Sequence, residues 1–169
     1  MTDLHTWIVF IHVAGVIVFL VAHGVSAGVV LRLRTERDPA AVRTLVELSR
    51  GSMMAMSVGA LIWLVGGIVA GFTGKGGAGW WTTGSYWIWA SLVLAIVIIG
   101  LMTPLGRLYL NRVRAAVGVD VKTGAVDPGF QVDPAALEAA VKSGNPTLLA
   151  GIGVGGLLIL LWLMIFKPF

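Results

Sequence analysis

The sequence predicts an all-α protein, a four-helix transmembrane bundle, and three observations carry that prediction. Four apolar segments, at about 7–31, 53–72, 86–105 and 148–166, each reach the roughly 20 residues that a helix needs to cross a bilayer. Hydrophobic residues make up 57 % of the chain and charged residues only 12 %, about half the charged share of a soluble domain, so a water-facing surface could not be covered. Inside lipid every backbone N–H and C=O needs an internal partner, and no alternating barrel-type segments are visible, which leaves helices. The chain is read as a single transmembrane domain, 1–169, with the lipid bilayer as its main partner.

The first element carries all three histidines. It reads His5-Thr-Trp-Ile-Val-Phe-Ile-His12-Val-Ala-Gly-Val-Ile-Val-Phe-Leu-Val-Ala-His23-Gly-Val-Ser-Ala-Gly28-Val-Val-Leu-Arg-Leu-Arg34, with no fixed charge between Thr6 and Arg32. No Lys or Arg precedes this run, and it is too long for a signal-peptide h-region, so the helix is expected to stay in the mature protein. The second element should begin at Pro39, with Asp38 as N-cap. Arg43, Glu47 and Arg50 then form a solvated or headgroup-level collar at helical spacing.

A glycine-rich loop, 73–85, joins the second and third elements. It has no preceding strand and no Gly-Lys-Ser/Thr, so it is not a phosphate-binding loop. Trp80, Trp81, Tyr86, Trp87 and Trp89 read as an interfacial aromatic belt. In the third element Pro104 removes a backbone donor and should bend the helix, which continues through Arg107, Tyr109, Arg112 and Arg114. The stretch 118–145 is expected to be ordered only in part. Within it Asp133-Pro134 starts a short helix, 135–142, that Gly144 can close. Asn145-Pro146-Thr147 opens the last span.

Orientation follows from the basic residues. The first loop holds Arg32, Arg34, Arg37, Arg43 and Arg50, and the third holds Arg107, Arg112, Arg114, Lys122 and Lys142. The second has Lys75 alone and the C-terminal tail Lys167. The positive-inside rule therefore puts loops one and three, with the short helix, in the cytoplasm and both termini outside, N-out and C-out, in a bacterial plasma (inner) membrane. The same rule explains the net charge of +4 without nucleic acid. Gly24/Gly28, Gly67/Gly71 and Gly151/Gly155 are small-xxx-small pairs. They serve packing inside the bundle or a seam in a homo-oligomer or larger membrane complex.

Ionisable groups inside a span are costly and face the bundle interior by default. At 100° per residue, the spacings 7, 11 and 18 return the three imidazoles to within about 20° of one line. His5 lies near the outer interface, where hydration is one account of it and a role is left open. His23 is about 18 residues into the first span, and Met102 lies at a similar depth in the third. Met54, Met56 and Ser57 reach that level in the second, and Gly153 to Gly156 in the fourth. One layer thus gathers an imidazole, thioethers and a patch without side chains.

Such a layer suits haem b, with His23 axial and a methionine opposite, or copper as Cu(I), which favours thioether and imidazole donors. Plain packing, with the histidines satisfied by Ser57, Thr103 or a carbonyl and no cofactor, is the third reading. His12 and His23 are about 16 Å apart along one helix, so they cannot grip one iron, and bis-histidine haem would need two copies of the chain. No carboxylate lies within the spans, which disfavours a catalytic triad, a two-carboxylate hydrolase and a proton-coupled transporter. Without cysteine, thiolate sites and disulfides are excluded.

Ile11-His12-Val-Ala-Gly15 followed by an apolar helix resembles the opening helix of small bacterial membrane proteins of the copper-resistance D (CopD) type. His23-Gly-Val-Ser-Ala27, Leu31-Arg-Leu-Arg34 and the closing Leu161-Trp-Leu-Met-Ile-Phe-Lys-Pro168 are similar to a related integral membrane group without assigned function. The resemblance implies copper uptake or, through the more distant HemJ-type protoporphyrinogen oxidases, haem b on a first-helix histidine, for which His12 is the matching position. Two features depart from the pattern. The glycine pair that follows the CopD histidine is missing, and 53–72 contains no counterpart of the HemJ second-helix lysine. The sequence therefore leaves a histidine/methionine site of His12, His23, Met54, Met56 and Met102 for electron transfer or metal handling. Its alternative is a non-catalytic accessory or scaffold subunit.

Overall fold

The computed structural model describes residues 3–74, 79–81 and 84–169. Five helices follow in order: α1 (Leu4–Leu33), α2 (Pro39–Thr73), α3 (Tyr86–Ala116), α4 (Pro134–Lys142) and α5 (Pro146–Phe166). All but α4 are long and apolar enough to cross a membrane. The expected all-α four-span architecture, with a short helix before the last span, is what the chain adopts.

Local chemistry sets most of the helix starts. Asp3, Asp38, Asp133 and Asn145 each accept a bond from a first-turn amide, and proline occupies the first turn of α2, α4 and α5. Ser85 before α3 makes no such bond. The chain's last residue takes over, because the Phe169 carbonyl accepts the Trp87 N–H at 3.2 Å. Lys167, left-handed at φ 45°, places its ammonium 4.7 Å from the Trp80 ring and 5.3 Å from that of Trp87. Trp87 is buried, and the Trp81 indole N–H donates to the Ile68 carbonyl at 3.1 Å. Only Tyr86 and Trp89 of the expected belt are exposed, so much of that cluster is a packed cap on the helix ends. Residues 75–78 and 82–83 of the loop, Lys75 included, lie outside the described residues.

The helices pair as α1 with α2 and α3 with α5, and the two pairs touch more sparingly. Glycine makes the first pairing close. A Cβ on Gly59 would lie 2.7 Å from the Phe19 backbone nitrogen, and one on Gly15 would lie 2.6 Å from that of Trp63. These two glycines and Gly66, against the His12 backbone, form the seam. Of the small-xxx-small pairs, Gly67 and Gly71 carry the His12 and Trp81 rings, whereas Gly24, Gly28, Gly151 and Gly155 meet nothing within 4 Å. Those last four face no other described helix.

The buried core sits at the end that bears the basic loops. Val29, Val30 and Leu33 of α1 meet Val42 and Val46 of α2, Tyr109, Leu110 and Val113 of α3, Val117 and Val119, and Leu137 and Val141 of α4. The location has a physical cause. At 1.5 Å per residue α1 is about 45 Å long and α2 about 52 Å, against a hydrocarbon core of about 30 Å. Lipid gives apolar side chains no reason to hide from it, while water beyond the bilayer does. The helix extensions therefore condense into a lobe.

Three features at this end differ from what the sequence predicts. The segment after α3 is ordered by a Val119–Val126 bridge and by Asp120, whose carboxylate accepts the Lys122 and Thr123 amides and the Thr123 hydroxyl. Those bonds to Thr123 hold the Asp120 carboxyl below its ordinary range. The collar arginines are not merely solvated: Arg43 Nε donates to the Val117 carbonyl at 2.9 Å, and Arg50 donates to the Thr123 carbonyl. Arg114, buried, binds Asn111 Oδ1 at 3.1 Å and the Val46 carbonyl at 3.4 Å. Gly144 does not close α4, which ends at Lys142 with Ser143 as its C-cap, but lies against the Tyr109 ring.

Candidate functional site

The three imidazoles all turn toward protein but not toward one site. His5 Nδ1 is 2.9 Å from the Thr73 hydroxyl. His12 Nδ1 is 2.6 Å from the Trp63 carbonyl. A carbonyl only accepts, so this nitrogen carries the proton. The His12 ring lies over Gly67, whose Cβ would come within 2.9 Å of Cε1. His12 is thus seated on α2 by a bond and by close packing. Replacing it with Phe removes the bond, and the expected loss of stability is about 1 kcal/mol. Comparing unfolding of the variant and the parent protein in mixed micelles measures it.

His23 differs. Its ring stacks on Phe19, with centroids 5.9 Å apart and planes 6° apart, and Phe19 in turn meets Trp63 edge-on at 6.1 Å. Phe19 is itself set by the Gly59 notch. The far edge of the imidazole reaches α5. A Cβ on Gly153 would lie 2.7 Å from His23 Nε2 and 3.4 Å from the Met102 methyl. Three helices, α1, α3 and α5, thus place an imidazole nitrogen and a thioether side chain around one point from which a side chain is missing. His23 makes no hydrogen bond to any described residue.

The other expected donors fall away. Met54 is 74 % exposed on the outer side of α2 and cannot share a site with His23. Depth along a span sets the level of a side chain but not its direction. Met56 is half-buried on α2 and is not among the atoms nearest the Gly153 position, where His23 and Met102 meet. Ser57 is exposed and bonds back to the Met53 carbonyl, so it does not satisfy His23. Among the described residues no group of three His, Cys, Asp or Glu side chains could hold a metal ion. Any site here therefore relies on the His23–Met102 pair.

The fit differs between the two ligands expected from sequence. A porphyrin on Nε2 needs a broad flat opening at the imidazole edge, and that edge instead closes on Gly153 of α5. Haem b does not fit this arrangement. A bare ion needs far less room than a macrocycle, and a nitrogen with a thioether is the donor set that Cu(I) prefers. Three features of the site escaped sequence reasoning: the Trp63 carbonyl, the Gly59 notch and the stacking of Phe19 on His23. The seven-residue spacing of Gly59 and Gly66 was the available sign of the notch. No protein-family model, no curated protein and no solved structure matches the chain.

Proposed function

We propose that this multi-pass membrane protein handles copper as Cu(I) within the bilayer, with His23 Nε2 and the Met102 thioether as donors. The observation that carries the reading is the convergence of His23 Nε2 and the Met102 methyl at Gly153, which has no side chain to part them. An intramembrane histidine without a hydrogen-bond partner is a functional candidate by default, and the resemblance to the CopD type points to the same metal. In this reading the positive-inside rule puts the buried lobe in the cytoplasm and both termini outside, in a bacterial plasma membrane. The ion then sits in the cytoplasmic third of the span. Phe19 orients the imidazole, and His12 serves as packing, not as a ligand.

Competition with a chromophoric Cu(I) chelator tests this on the full chain in detergent. The wild-type protein is expected to retain about one Cu(I) per chain, as a single donor pair requires. His23→Phe, Met102→Leu and Gly153→Ala are each expected to lower retention to background, whereas His12→Phe leaves it unchanged. Retention unaffected by His23→Phe would contradict the proposal. One observation favours a second reading, a scaffold subunit with structural histidines. His5 and His12 are both already engaged with α2, and the outward glycines of α1 and α5 leave room for a neighbouring helix. It predicts no copper retention and co-purification of a larger complex.

A further inference from the structure

At the lobe, a cavity of about 330 Å³ opens between Arg34, Arg37, Val141, Lys142, Gly144, Asn145 and Pro146. Three cations border it. Arg37 is engaged with the carbonyls of Leu33, Arg34 and Glu36. Lys142 pairs with Glu138 at 2.6 Å, but both side chains are more than half exposed, so that pair is weak and exchangeable. Arg34 has no side-chain bond or ion pair among the described residues. The start of α5 adds the positive end of a helix, with Asn145 Oδ1 already capping the Leu148 amide.

A second feature adjoins the cavity. The Tyr109 hydroxyl is buried and has no hydrogen-bond partner among the described residues. Its ring lies against Gly144, and Arg34 and Arg37 are the cations whose fields reach it. A buried hydroxyl without a partner is costly, and the Tyr109 ring packs on Gly144, one of the residues that line the cavity. The cavity also lies where α5 turns apolar. Leu31 of α1 and Leu148 of α5, a few residues toward the span from Arg34 and Asn145, are both about half exposed.

From this we infer that the cavity binds a phosphate group, and that its source is an anionic phospholipid. The phosphodiester sits against Arg34 and Lys142, and the acyl chains lie along Leu31 and Leu148. Guanidinium matches phosphate geometry through paired N–H donors, and Lys142 exchanges Glu138 for the ligand as a point charge. Basic pockets at the edge of a span are the usual setting for such headgroups.

Thermal unfolding of the full chain in a non-ionic detergent tests the inference with three additives. Phosphatidylglycerol is expected to raise Tm by about 3 °C, the scale of a ligand that binds only the folded state. Phosphatidylcholine and inorganic phosphate are expected to leave it unmoved. Arg34→Gln with Lys142→Gln abolishes the shift, and Tyr109→Phe reduces it, whereas Lys122→Gln, an equally basic residue outside the cavity, keeps it. Should the double variant not fold, Lys142→Gln alone, at an exposed side chain, must reduce the shift. An equal response to phosphatidylcholine or inorganic phosphate overturns the inference, as does a shift that survives loss of Arg34 and Lys142.

Discussion

Gly59→Leu is expected to destabilise the protein by about 3 kcal/mol or more, at or above the upper end for overpacking. The reason is what the new side chain meets. Even its Cβ would lie 2.7 Å from the Phe19 nitrogen, 3.0 Å from the Phe19 Cα and 3.1 Å from the Gly15 carbonyl oxygen. All three are backbone atoms of α1, so no rotamer change relieves the clash and the two helices must part. Within lipid the pairing of α1 with α2 rests on this close approach, because the bilayer supplies no hydrophobic force to replace it. Phe19 would shift with α1, and His23 would lose its stacking partner, so copper retention should fall as well. Gly24→Leu is the matched control, at a position with nothing within 4 Å. Equilibrium unfolding in mixed micelles compares the two. Equal losses for both variants would show that the seam is not where these contacts place it.

Leu33→Ala is expected to cost about 2–5 kcal/mol, the range for a leucine removed from a packed core. Leu33 is 0 % exposed and sits among residues of α2, α3 and α4. Leu158, 61 % exposed on α5, is its counterpart within the span, and Leu158→Ala should change stability by no more than about 0.5 kcal/mol. The contrast tests where the folding energy lies. If the lobe stands in water, burial there stabilises by the ordinary hydrophobic effect, at about 1.5–3 kcal/mol for a full leucine side chain. Hydrogen exchange provides the second readout, since loosening should appear first at Val113, Val117 and Val141. A comparable loss from Leu158→Ala would mean that the span, and not the lobe, carries the stability.

The helices were legible because their determinants are local. Run length marks a span, and Asp38-Pro39, Asp133-Pro134 and Asn145-Pro146 mark starts that the structure keeps. Depth along a span is also local arithmetic, and it brought His23, Met102 and Gly153 to one level. Direction is not local. Whether a methionine faces a neighbour or the outside depends on which helices pair, and Met54 failed on that point. The common line of the three histidines was sound as geometry, yet α1 lies between two partners. The same stripe gives His5 and His12 to α2 and His23 to α5. The lobe was hidden for a related reason. Its order rests on arginine side chains reaching main-chain carbonyls more than 70 residues away, and carbonyls carry no sequence signature.

The most direct test of the His23–Met102 site is X-ray absorption at the copper edge of the Cu(I)-loaded protein. The site predicts a low-coordinate ion with one imidazole nitrogen and one sulfur neighbour in the parent protein. The sulfur signal should vanish in Met102→Leu and the imidazole signal in His23→Phe, with both unchanged in His12→Phe. A spectrum without sulfur, or one that His12→Phe alters while His23→Phe does not, would place the metal elsewhere and contradict the account.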